Sequence, residues 1–377
     1  MADMKADDME QQNEQRELLA SIGDLVERVL GDRHDVLCGT GCDRETWEKL
    51  GGELGLLAAA LPEALGGMEA GPAAHAILME GFGRHLVAQP YLSTMVMASA
   101  LLDPAGAAGA KWLSAAAQGE MIIVPALADG PNDYDLQSAN TVVDMGAEEL
   151  VLSGNKILVR DAPLADHFVV LARQENGDSE SPFLLMVAAN TQGVTREDFK
   201  MIDGASGSHL HFDGVRLPRS CVIASGEEAR GRAEQAMDDG TVAVCAEAVG
   251  IMQTMLDQTV EYTRERMQFG QPLSAFQVLQ HRMVDMSVVI EQAQNITQLA
   301  RGKLHSRDRA TATSACMALV AKACRRVAQD AVQIHGAIGI ADETPISGYF
   351  RRALAIEKQF GGKQFHLQRY MKGSNLS

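Results

Sequence analysis

The sequence predicts an α+β chain in three consecutive parts: an N-terminal helical domain over residues 1–118, a middle β domain over 119–228 and a C-terminal helical bundle over 229–377. Three observations carry this expectation. Up to about Gln118 the apolar residues recur at helical spacing. From Met121 the period shortens to two, in short runs punctuated by Gly, Asn, Asp and Pro. From Ala233 helical spacing resumes and persists to Arg369, and four long amphipathic helices joined by short loops are most simply a bundle.

The first part opens with an amphipathic pattern from Gln15 to Leu30, built on Leu18, Leu19, Ile22, Leu25, Val26 and Val29, with Gly31 placed to end it and a frayed tail before it. Trp47, Leu50, Leu54, Leu56 and Leu57 mark a second helix, and Leu61 to Gly67 must be a loop. Further helices are expected at Ala73 to Gly83, Ser93 to Leu102 and Gly109 to Gln118. The middle part predicts strands at Met121 to Ala128, Thr141 to Met145, Leu150 to Val159, His167 to Arg173, Pro182 to Ala188 and His209 to Phe212. In the last part the helical pattern breaks near Gly270, Ser306 to Arg309 and Gly336 to Ser347.

A chain of 377 residues is too long for one simple core. The formal charge of −17 argues against a nucleic-acid partner, because neutralising phosphates over a broad surface needs clustered Lys and Arg. An anionic ligand would need local cations, chiefly Arg264, Arg266, Arg351, Arg352 and Arg369. Met1 to Glu14 is polar and acidic, without the basic and apolar regions of a secretory signal, and no apolar run is long enough to span a bilayer. The expected location is the cytoplasm. Of six cysteines, Cys38 and Cys42 are the only close pair, and with no second Cys or His pair at finger spacing free thiols are expected and a metal is not.

The stretch from Arg264 to Met286 reads as helix, tight corner, helix. Val278, Leu279, Met283 and Met286 keep helical spacing, whereas Phe269-Gly270-Gln271-Pro272 cannot continue a helix. Arg264 and Arg266 stand at the end of the first helix and Gln277 opens the second, beside exposed amides, so the corner could hold an anion. Ordinary capping accounts for the same basic residues.

The wording of two segments resembles the acyl-CoA dehydrogenase family. Arg266 to Pro272, then Phe276-Gln277 and Met283 to Met286, is similar to its R-x-x-F-G…Q…A-D-M stretch. Gln333 to Gly339, with Glu343, Pro345, Phe350, Arg351, Arg352 and Ala353, is similar to its Q-x-x-G-G-x-G…E…P…R-D-A stretch. Trp47 to Gly67 also looks like the family's N-terminal domain, and Leu152 to Lys156 and Phe212 to Pro218 resemble two strand segments of its middle domain. The resemblance implies a helical domain, a middle β-barrel and a C-terminal four-helix bundle. The family's T-E-P-x-A-G-S-D loop is absent, and Ala126-Leu127-Ala128-Asp129-Gly130-Pro131 stands there instead.

Carried over position by position, the resemblance implies FAD as cofactor. Arg266 would contact its pyrophosphate, Phe269 would pack on it and Gln277 would sit near its adenosine half. Gln333, Gly336 and Gly339 would reach across a subunit interface to a neighbour's FAD, with Ala337 in place of one glycine. On the residues alone, Gly336 and Gly339 would simply end a helix.

Proton abstraction next to a thioester needs a carboxylate, with an acceptor such as flavin for the hydride. The family's usual C-terminal position for the base is Phe360 here, and its alternative position is Gly240, beside Asp238 and Asp239. Glu247 is the remaining candidate, two helical turns beyond Gly240 on roughly the same face and set among small apolar residues. A charge there must be paired, neutralised or functional, so it is either the base or a structural carboxylate paired with an arginine of a neighbouring helix. Glu357 is nearer the C-terminal position but three residues early.

Loss of both usual bases looks most like the smaller subunits of heteromeric acyl-CoA dehydrogenases, such as pimeloyl-CoA and steroid side-chain dehydrogenase subunits. The resemblance therefore implies α,β-dehydrogenation of an acyl-CoA, a homologous partner chain in an α2β2 assembly or a homotetramer, and an electron-transfer flavoprotein as acceptor. A silent scaffold subunit completing a partner's FAD site, and a flavin monooxygenase or oxidase on the same fold, are the alternatives. Linear, dicarboxylic and steroid acyl chains are all compatible with the sequence.

Overall fold

The computed structural model describes residues 2–31, 43–103, 106–130, 134, 136, 140–146, 149–175 and 182–374. Cys38, Cys42 and Pro131 lie outside the described residues. The helices are α1 (Ala2–Gly31), α2 (Arg44–Glu48), α3 (Gly71–His85), α4 (Ala98–Leu102), α5 (Ala107–Ala117), α6 (Gly226–Glu265), α7 (Gln277–Arg301), α8 (Arg309–His335), α9 (Pro345–Lys358) and α10 (Gly362–Gly373). Two compact units share them. One falls within Met1–Cys38, Pro72–Val87 and Thr241–Ser377, and the other within Gly39–Gly71 and Ala88–Gly240.

The second unit is built on an eight-stranded sheet of β1 (Ile123–Ala126), β2 (Val142–Met145), β3 (Glu149–Arg160), β4 (His167–Gln174), β5 (Pro182–Ala188), β6 (Val194–Lys200), β7 (Ser206–Pro218) and β8 (Val222–Ser225). Its order is β6-β7-β3-β2-β4-β5-β8, with β1 paired parallel to β4. The path ends at β6 and β8, so this is an open sheet and not the closed barrel expected from the family. The edge strand β6 reads VTREDFK, and its charged, largely exposed run suits an edge. β6 lacks the apolar alternation by which a strand is recognised in a sequence, and β8 is only four residues long, so neither is among the strands expected above.

Other boundaries moved for local reasons. Helix α1 begins at Ala2, well before Gln15. The helix expected around Trp47 is a short α-turn followed by a π-wound turn, Lys49–Glu53, and the one expected at Ser93 is π-wound over Leu92–Met97 before α4. The loop after β1 has its own anchor: buried Asp129 pairs with buried Lys156 at 2.5 Å and accepts from Thr141 Oγ1 at 2.8 Å, while Lys156 Nζ also donates to Leu127 O at 2.9 Å.

In the first unit α7, α9 and α10 pack on the alanine-rich α8. The last helix expected from the sequence is therefore two, broken at the turn Gln359–Gly361. Helices α3 and α6 touch backbone to backbone. A Cβ on Gly83 would lie 2.1 Å from Glu247 O, and one on Gly250 would lie 2.0 Å from Glu80 O, so both positions need glycine.

Candidate functional site

The corner after α6 is a two-residue hairpin. Strands β9 (Met267–Gln268) and β10 (Gln271–Pro272) pair antiparallel, and the turn residues Phe269 and Gly270 both have positive φ, 54° and 79°, as a type I′ turn requires. Arg266 ties the hairpin down: its N–H donates to Tyr262 O and its carbonyl accepts from Leu273 N, each at 2.9 Å. Such turns favour Asn or Gly at the first position, and a bulky residue there costs about 1–2 kcal/mol. Phe269 is nonetheless 88% exposed, with its ring edge-on to Phe276 at 6.0 Å. A strained residue that displays a large apolar ring to solvent marks a contact surface. Among the described residues no carboxylate pairs with the exposed Arg266 guanidinium, and Gln277, exposed, opens α7 just beyond.

The second segment meets the first. The Tyr262 ring, one turn before Arg266, stacks on His335 with centroids 4.4 Å apart and planes at 20°, and its hydroxyl donates to His335 O at 3.4 Å. His335 Nδ1 lies 2.8 Å from Ala331 O, and burial pulls the imidazole pKa below its ordinary value, partly offset by that bond. Gly336 caps α8 with φ 71° and has open space where a Cβ would stand. Gly339 is different: a Cβ there would meet His335 Cβ at 3.0 Å and Val332 O at 3.1 Å. Ala337 is exposed in the short turn Gly336–Ile340, as is Gln333 on α8.

Glu247 is not an open carboxylate. Arg352 on α9 donates Nε to Oε1 and Nη2 to Oε2, both at 2.6 Å, and the two side chains are each 9% exposed. Both oxygens are thus engaged in the bidentate geometry that makes such pairs strong. Arg352 stands where the R-D-A pattern has Asp, and that departure was the legible signal of its partner. Glu357 is engaged in the same way, by Arg325 at 2.6 Å on each oxygen. Phe360 sits in the turn after α9 with φ 56°, and its carbonyl lies 2.9 Å from His366 Nε2. Along α6, Glu247 lies ~28 Å before the corner at Arg266.

At the corner the arrangement supplies the Arg266 guanidinium, unpaired among the described residues, the displayed Phe269 ring and the N-terminus of α7, joined by the Tyr262–His335 stack to a glycine-bearing turn. This donor set fits an elongated anionic cofactor with a flat ring.

Comparison with known proteins agrees. Models of the acyl-CoA dehydrogenase N-terminal, middle and C-terminal domains match residues 12–120, 126–215 and 230–374. The human mitochondrial short-chain specific acyl-CoA dehydrogenase is 32% identical over 323 residues, 82% of this chain and 77% of that protein. Among solved structures, the Tcur3481-Tcur3483 steroid ACAD is 26% identical with a TM-score of 0.85, covering 96% of this chain and 99% of that one. The ChsE4-ChsE5 complex from Mycobacterium tuberculosis is 25% identical with a TM-score of 0.83, covering 96% and 97%. The chain belongs to the acyl-CoA dehydrogenase family, whose cofactor is FAD.

Proposed function

We propose that this chain is one subunit of a heteromeric acyl-CoA dehydrogenase that introduces an α,β double bond into an acyl-CoA thioester, and that a homologous partner chain supplies the base. The observation that carries this reading is the contrast between an exposed Arg266, unpaired among the described residues, beside a displayed Phe269 and the lack of a carboxylate at either of the family's usual base positions. Arg266 and Phe269 are presented to solvent, whereas Phe360 and Gly240 carry no acid and Glu247 is held by Arg352.

When bound, FAD supplies the hydride acceptor. Arg266 would balance the pyrophosphate charge, Phe269 would pack against the cofactor and Gln277 would sit near its adenosine half. Gln333, Gly336 and Gly339 lie in the segment that reaches a neighbouring subunit's cofactor. Glu247 in this reading holds Arg352 and fixes α9 against α6. Exposed Val284, Val288 and Leu299 on α7, with Ile338 and Ile340 after α8, supply apolar surface for assembly into an α2β2 tetramer. That relatives of similar structure include a complex of two named chains favours a heteromer. An electron-transfer flavoprotein takes up the electrons, in the cytoplasm; among the described residues no helix is long and apolar enough to cross a membrane.

The test is the flavin-to-chain ratio of the protein purified alone and with candidate partner chains. One FAD per two chains, reducible by acyl-CoA only with the partner, is the expected result. One FAD per chain that bleaches with acyl-CoA in the isolated protein would overturn it and return Glu247 to the role of base.

A further inference from the structure

Charge is unevenly spread along this acidic chain, which carries 33 Lys and Arg against 50 Asp and Glu. From Gln292 to Gln329 there are seven Lys and Arg and one acid, Asp308, and from Lys358 to Ser377 there are four and no acid. The fold brings these two segments together. The first holds the turn between α7 and α8, with Arg301, Lys303, Arg307 and Arg309, and the second holds α10. Helix α10 packs along α8, and a Cβ on its last residue, Gly373, would lie 2.7 Å from Thr311 Cγ2 in the first turn of α8.

Lys303, Arg307, Lys363 and Lys372 are exposed. Lys303 lies 3.4 Å from Asp308, whereas among the described residues no carboxylate pairs with Arg307, Lys363 or Lys372. Gly336, in the segment assigned to a neighbour's cofactor, is at the other end of α8, ~40 Å away along a helix of 27 residues.

The outer face of α10 has a pattern of its own. Leu367, Tyr370 and Met371 are 40%, 36% and 50% exposed, and their spacing of three and four residues sets them in one stripe. At about 100° per residue, Lys363 and Lys372 fall on the two sides of that stripe, while Gly362 and His366 are buried on the opposite face.

We infer that this face seats the protein on an anionic lipid bilayer, lying on the surface without crossing it. The apolar stripe enters the boundary between headgroups and acyl chains, and the cations beside it meet lipid phosphates. Lysine stems cover apolar surface while their ammonium groups stay in water. An acidic protein would satisfy the same charges, but lysine is depleted from protein interfaces, and three apolar side chains make too small a core for one. The net charge of −17 repels an anionic surface as a whole. Attachment therefore depends on this local patch, acting within a Debye length of about 10 Å at 0.1 M salt.

The test is co-sedimentation of the full chain with vesicles of equal parts phosphatidylcholine and phosphatidylglycerol, and with vesicles of phosphatidylcholine alone. Binding is expected to the mixed vesicles only, and high salt should release it. Each cation removed should weaken binding roughly fivefold, so Lys363→Gln/Lys372→Gln on α10 and Lys303→Gln/Arg307→Gln in the turn should each lower it by more than tenfold. Leu367→Ser/Met371→Ser should weaken it severalfold. All six side chains are exposed, so circular dichroism and elution volume should be unchanged in every variant. No binding to the mixed vesicles, equal binding to phosphatidylcholine alone, or binding indifferent to salt and to both lysine variants would each overturn the proposal. A change of oligomeric state in the α10 variants would overturn it too, by making this face a contact between protein chains.

Discussion

Glu247 and Arg352, 105 residues apart in sequence, are joined by two parallel hydrogen bonds of 2.6 Å inside the helical unit. Removing either partner strands a buried charge, which costs about 3–5 kcal/mol. Replacing both with apolar groups of similar size removes the desolvation penalty as well. Glu247→Gln and Arg352→Met should therefore each lower the unfolding free energy by several kcal/mol. The double variant Glu247→Leu/Arg352→Met should recover most of that loss, as measured by chemical denaturation. If the double variant, assembled with its partner, keeps acyl-CoA-dependent flavin bleaching, Glu247 is not the base. A folded double variant that no longer bleaches would assign the proton to it.

Arg266→Ala should lower FAD affinity roughly tenfold to a hundredfold, the equivalent of one charge-assisted hydrogen bond of ~1.5–3 kcal/mol. The fold should be unaffected, since the side chain has no protein partner among the described residues and its backbone groups hold the hairpin. Flavin occupancy after dialysis is the measurement, and unchanged occupancy would remove Arg266 from the cofactor site.

Phe269→Asn should act in opposite directions on stability and binding. Relief of the left-handed strain at φ 54° should stabilise the cofactor-free chain by about 1 kcal/mol, while loss of the exposed ring should weaken FAD binding. Thermal unfolding without flavin and flavin titration, taken together, check both signs.

Stability should fall on acidification partly through His335. Its folded pKa is lowered by burial from the ordinary 6.5, so below that value the unfolded chain binds the proton first and folding is penalised. The contribution is fully present above pH 6.5 and is lost as pH falls toward the folded value. His335→Gln should show a shallower loss between pH 7 and 5 than the unsubstituted chain. Parallel slopes would mean that the Tyr262 stack does not bury the ring in solution.

What the sequence determined by itself is local. The switch from helical to alternating period and back, the break at Phe269-Gly270, and the start of α7 at Gln277 all follow from residues within a few positions of one another. The family resemblance was legible for the same reason, because its motifs are short and ordered. Tertiary structure alone decided which groups meet. Arg352 reaches Glu247, Tyr262 stacks on His335, and Cys245 finds Met317 only because helices distant in sequence pack side by side. The sheet's open edges belong to the same class: a strand's residues specify which face is buried, but whether β6 and β8 close on each other depends on the twist and registry of all the strands between. Propensity and turn chemistry act within a window of a few residues, whereas the pairing of a buried charge is imposed by a low-dielectric core that exists only once the chain has folded.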